Sequence, residues 1–86
     1  MIPSVYAHFR YQRPGFVFAV YPDRVVVTRR RYLTAVTTVH PIAHIAHLAI
    51  RGAPARLHIL MDDGSAATYA LVGHVAAAHD AITRLR

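Results

Sequence analysis

Apolar and polar residues alternate with a period of two along most of this chain, and only its last stretch changes to a helical period. Val5, Ala7, Phe9 and Tyr11 lie opposite Tyr6, His8 and Arg10, the pattern of a strand with one face on a core. Arg13-Pro14-Gly15 punctuates it, and Phe16 to Tyr21 is rich in the aromatic and branched residues that suit a pleated sheet. Pro22-Asp23 supplies turn residues, because proline presets the φ of a reversal. Arg24 to Thr28 resumes a strand, Arg29-Arg30-Arg31 reads as a charged turn, and Tyr32 to Val39 as a further strand. Leu57, Ile59 and Met61, then Ala67, Tyr69 and Leu71, alternate on either side of Asp62-Asp63-Gly64, where Asp-Gly signals a two-residue hairpin turn.

Val75, Ala78, Ile82 and Leu85 then recur at helical spacing. Ala76, Ala77, Ala78 and Ala81 have high helix propensity, and Asp80 with Arg84 forms an i,i+4 pair. The apolar stripe of this helix is expected to cover one open end of the sheet. His40 to Ile50 fits two patterns. Ile42, Ile45 and Leu48 or Ala49 suit a helix started by Pro41 and stopped by Gly52. A short Pro-led turn followed by a strand from about Ile45 to Ile50 suits them equally, and is favoured because a barrel needs that strand. Arg51-Gly52-Ala53-Pro54 connects it to the next. The sum is a β-rich α+β domain: a bent antiparallel sheet or partly open barrel of six to seven strands with one C-terminal helix.

Eighty-six residues make one domain, spanning residues 1–86, and 55% hydrophobic residues supply a core large enough to offset chain entropy. No run approaches the roughly 18 uncharged apolar residues of a membrane span. Met1-Ile2-Pro3-Ser4-Val5 lacks the basic-then-apolar order of a signal peptide, so a cytoplasmic location is the expectation. The absence of Cys removes disulfides and thiol chemistry. All ten basic residues are Arg, beside four Asp and no Glu. The net charge of +6 favours anionic partners: nucleic acid, anionic lipid or an acidic protein surface.

Three stretches in order resemble the short bacterial pleckstrin-homology-like domains. They are Val25-Val26-Val27-Thr28; Thr37-Thr38-Val39-His40-Pro41-Ile42-Ala43-His44-Ile45; and Leu57-His58-Ile59-Leu60-Met61-Asp62-Asp63-Gly64, followed by the Ala-rich helix. The resemblance runs from about Phe16 to Leu85 and rests on the order of the motifs more than on any one of them. It implies a seven-stranded, strongly bent sheet capped by a helix and used mostly to bind proteins or lipids. The basic hairpin of eukaryotic relatives contains Lys; here the hairpin carries Arg29, Arg30 and Arg31 and no Lys, so that site does not transfer directly.

Several constellations could carry chemistry. His40, His44 and His47 would share one face of a helix and a metal ion, but on a strand His44 and His47 point to opposite faces. Asp62 and Asp63 read as a hairpin tip rather than an acid–base pair. Ser4, Ser65, His79 and Asp23 lack any Gly-flanked nucleophile elbow. Tyr6, Tyr11, Phe16, Phe18 and Tyr21 read as core and cross-strand pairs. Arg24, Arg29, Arg30 and Arg31 with Tyr32 make the anion- or partner-binding site, because guanidinium forks take phosphate bidentately and a neighbouring aromatic stacks. A solvated charged turn that discourages edge-to-edge pairing accounts for the same arginines. The expectation is therefore a non-enzymatic interaction module, without cofactor or metal, that docks onto a protein or anionic surface and self-associates as a homo-oligomer; the alternative is a small nucleic-acid-binding barrel.

Overall fold

A computed structural model describes residues 7–86, and the expectations at Ser4, Val5 and Tyr6 lie outside them. β1 (Phe9–Arg13), β2 (Phe16–Val20), β3 (Arg24–Arg31) and β4 (Thr34–Pro41) form one antiparallel sheet in that order. A single 3₁₀ turn at Ile42–His44 leads to the second sheet, β5 (Ile45–Arg51), β6 (Arg56–Met61) and β7 (Ala66–Tyr69), also antiparallel. Helix α1 spans Val75–Leu85. The two sheets do not close into a barrel.

Alternation decides which residues meet. Phe16, Phe18 and Val20 of β2, Val25 and Val27 of β3, and Leu57, Ile59 and Met61 of β6 all point into one core. Phe18 lies against Phe9 and Tyr69 edge-on, with ring centroids 6.2 and 5.4 Å away. β5 breaks the alternation: a bulge between Ile45 and His47 lets Ile45 and Leu48, three residues apart, both face inward. The guanidinium of Arg86 donates to the carbonyls of Ile45 and Ala46 there, at 3.2 and 3.4 Å. α1 buries Val75, Ala78 and Ile82 and packs on β5, β1, β6 and β2, so it plugs the side of the core where β1 and β5 are edges.

The Pro-led turn and following strand over residues 41–51 match the favoured reading, and the helical alternative is not adopted. Three local expectations change. Arg29-Arg30-Arg31 is not a turn: all three belong to β3, paired with Val36, Ala35 and Thr34, and the reversal falls at Tyr32-Leu33. The β6–β7 connection is longer than a two-residue hairpin, since Met61 N–H bonds the Ser65 carbonyl around Asp62-Asp63-Gly64, with Gly64 at φ +90°. Asp80 and Arg84 form no ion pair; among the described residues the ion pairs are Arg24–Asp23 and His44–Asp62.

Candidate functional site

β4 is unlike the other strands. Where β3, the other eight-residue strand, buries Val25 and Val27 of its eight residues, β4 buries His40 alone, so the far half of the β3–β4 hairpin stands clear of the second sheet. Its tip is apolar: Tyr32 and Leu33 are 97% and 103% exposed. Tyr32 also holds φ +52°, a left-handed backbone that costs a non-glycine residue roughly 1–2 kcal/mol.

Below the tip the arginines gather. Arg13, Phe16, Arg29 and Val36 are successive cross-strand partners across β1, β2, β3 and β4. The guanidinium carbons of Arg13 and Arg29 lie 4.8 and 5.8 Å from the Phe16 ring centre, and Arg29 is also 5.7 Å from that of Tyr69. Phe16 is buried in the core, and its ring gives both cations a fixed face to pack on. With Arg30, Arg31 and Arg56 they line an open concavity of about 730 Å³ at this end of the molecule. Its wall includes Pro14-Gly15, where the Gly15 carbonyl accepts the Arg30 N–H at 2.9 Å.

Among the described residues no carboxylate pairs with these arginines. Asp23 lies in the β2–β3 turn and Asp62 and Asp63 in the β6–β7 turn, both at the opposite end. Those turns are joined through the 3₁₀ segment: Ile42 N–H bonds the Asp23 carbonyl and Asp62 N–H the His44 carbonyl. There His44 Nδ1 and Asp62 Oδ2 are 2.9 Å apart, and the Ser65 hydroxyl and N–H hold the Asp63 carboxyl below its ordinary range. Charge is therefore uneven lengthwise, with Arg13, Arg29, Arg30, Arg31 and Arg56 at one end and three of the four aspartates, beside Arg24 and Arg86, at the other.

This placement splits the site read from the sequence. Arg29, Arg30, Arg31 and Tyr32 do come together. Arg24 does not: it begins β3, seven residues and roughly 23 Å from Arg31, and binds Asp23 at 2.7 Å. In its stead the fold brings Arg13 and Arg56, which are distant in sequence. The three histidines part company. His40 is buried with Nε2 2.6 Å from the Tyr69 hydroxyl, His44 meets Asp62, and His47 is exposed on β5. Ser65 bonds Asp63, Asp23 bonds Arg24, and His79 faces Thr83, so no nucleophile–base set assembles from these residues. No helix among the described residues is long and apolar enough to cross a membrane. Comparison with protein-family models, curated proteins and solved structures finds no match to this chain.

Proposed function

We propose that this domain is a non-enzymatic interaction module, of pleckstrin-homology-like type, that docks through its arginine end onto an anionic surface, and that the surface is that of an anionic membrane. The observation that carries this reading is the pairing of an exposed Tyr32-Leu33 tip with five arginines around its base. Each basic residue held near an anionic bilayer contributes about 1 kcal/mol, so five supply roughly 5 kcal/mol if all reach the surface. Tyrosine favours the headgroup region, and withdrawing a leucine from water adds about 1.5–3 kcal/mol at most. Together these give reversible peripheral attachment. Nucleic acid fits the charge but lacks a stacking surface: Phe16, Phe18 and Tyr69 are buried, and Tyr32 is the large aromatic left fully exposed among the described residues.

The test is sedimentation with vesicles of neutral phosphatidylcholine, with and without phosphatidylserine, beside an electrophoretic shift with duplex DNA and single-stranded RNA. Retention on the anionic vesicles alone, lost in the R29S/R30S/R31S variant with unchanged circular dichroism, is the expected result. Equal retention on neutral vesicles, or preference for nucleic acid at physiological salt, overturns it.

A further inference from the structure

We propose that the free edge of β4 is a self-pairing surface, on which β4 of a second copy adds antiparallel to make one continuous sheet through both molecules. The occupant follows from how the hydrogen bonds of β3 are shared. Arg24 carbonyl accepts from Tyr21 N–H at 2.7 Å and Arg30 N–H donates to the Gly15 carbonyl at 2.9 Å, so the even-numbered residues of β3 point their backbone groups toward β2. Its odd-numbered residues point toward β4, where Arg29, Val27 and Val25 face Val36, Thr38 and His40. Ala35, Thr37 and Val39 of β4 are thereby left with N–H and C=O directed away from β3, and β3 is the strand partner of β4 among the described residues.

That outward set is symmetric about Thr37. A two-fold axis perpendicular to the sheet, midway between Thr37 and its equivalent, places Ala35 against Val39 of the second copy and Thr37 against Thr37. All three positions then exchange main-chain hydrogen bonds, about six in total. The axis keeps the same face of both sheets on one side, so no buried side chain has to turn outward.

Two further features favour a second copy over a foreign strand. The edge carries none of the usual obstacles to pairing: from Thr34 to His40 there is no charged residue, no proline and no bulge, and Val36 and Val39 are 60% and 50% exposed. The ends of β4 are also electrostatically opposite. Arg29 to Arg31 flank its Thr34 end; at the other, Arg24 faces Pro41 but is paired with Asp23 at 2.7 Å, and His44, Asp62 and Asp63 share a concavity with Thr38, Val39, His40 and Pro41. Antiparallel addition brings the arginine end of one copy beside the aspartates of the other. Parallel addition would set like charge on like.

Sedimentation equilibrium without lipid, from low to high micromolar protein, tests this. A reversible monomer–dimer equilibrium is expected in the wild type. Thr37→Pro should shift it to monomer with unchanged circular dichroism, because among the described residues that N–H points away from β3 with no strand to receive it and proline is tolerated on an edge strand. Since the chain has no cysteine, Thr37→Cys should oxidise to a disulfide-linked dimer, its α-carbons about 5.5 Å apart across the axis, whereas Ala76→Cys on the exposed face of α1 should not. Wild type that stays monomeric throughout, a Thr37→Pro variant that dimerises like wild type, or an open series of larger species each overturns the proposal. None of these measurements involves an anionic surface, so they fail or succeed independently of the docking reading.

Discussion

The hydroxyl of Tyr69 and Nε2 of His40 lie 2.6 Å apart, a buried contact that ties β7 of one sheet to β4 of the other. It closes the seam between two strand edges, beside a groove lined by Val27, Arg29, Thr38 and residues 65–69. It is also the polar contact that anchors the core end of β4, beyond which the strand runs exposed to the Tyr32-Leu33 tip.

Because burial disfavours the charged imidazole, His40 titrates below its ordinary 6.5, and burial likewise pushes the Tyr69 hydroxyl above its ordinary 10.0. Between the lowered folded value and 6.5 the unfolded chain binds more protons than the native one, so stability rises with pH across that window. Thermal melts at falling pH should show melting temperature dropping below about pH 6.5, and His40→Gln should flatten that drop.

Tyr69→Phe keeps the ring that packs on Phe18 and Phe16 but removes the hydroxyl. It leaves a buried imidazole nitrogen without its partner, a loss of about 1–3 kcal/mol. Urea denaturation should show a lower midpoint with an unchanged slope.

Glycine tolerance should separate two turns. Gly15 holds φ +74°, and an added Cβ would meet the Arg30 carbonyl at 3.3 Å; Gly64 holds φ +90° with open space around it. Gly15→Val should therefore cost more than Gly64→Val, which itself costs at least ~1 kcal/mol for its positive φ. Arg30→Ala, on a solvated stretch of strand, should stay within about ±0.5 kcal/mol. The order of the three melting temperatures checks this.

Tyr32→Gly should raise stability by up to roughly 1 kcal/mol, since glycine adopts the left-handed backbone without strain, while weakening retention on anionic vesicles. Opposite signs in the melt and the vesicle assay distinguish a functional tip from an ordinary turn.

Arg24 supplies the matching electrostatic control. Arg24→Ser removes as much charge as Arg29→Ser, yet its position beside Asp23 predicts unaltered vesicle retention, while Arg29→Ser and Arg13→Ser should both weaken it. Added salt should weaken wild-type retention by screening, over a Debye length of about 8 Å at physiological strength. A wild type indifferent to salt would show that charge is not what holds it.

Local period settled much of this protein. Alternation at Phe16, Phe18 and Val20 and at Leu57, Ile59 and Met61 marked the core, and Val75, Ala78 and Ile82 marked the helix face, because side-chain direction in a strand or helix is set by backbone geometry alone. The Pro41-led turn and the presence of a reversal at Asp62-Asp63-Gly64 were likewise legible from local turn chemistry, although that reversal is longer than the two-residue turn its Asp-Gly pair implied. What local pattern could not supply was end from end and face from face. Like charge repulsion suggested a solvated turn at Arg29-Arg30-Arg31, but pairing with β2 and β4 held these residues extended and moved the reversal to Tyr32-Leu33. Alternation also failed at β5, where the bulge drew Ile45 and Leu48 to one side. The composition of the arginine end was decided by tertiary structure: strand register laid Arg13, Phe16 and Arg29 in one row and brought up Arg56 from the second sheet, while the direction of β3 carried Arg24 away to the aspartates. Sequence distance measures contour length along the chain; a sheet brings together residues far apart in sequence and separates those at the two ends of one strand.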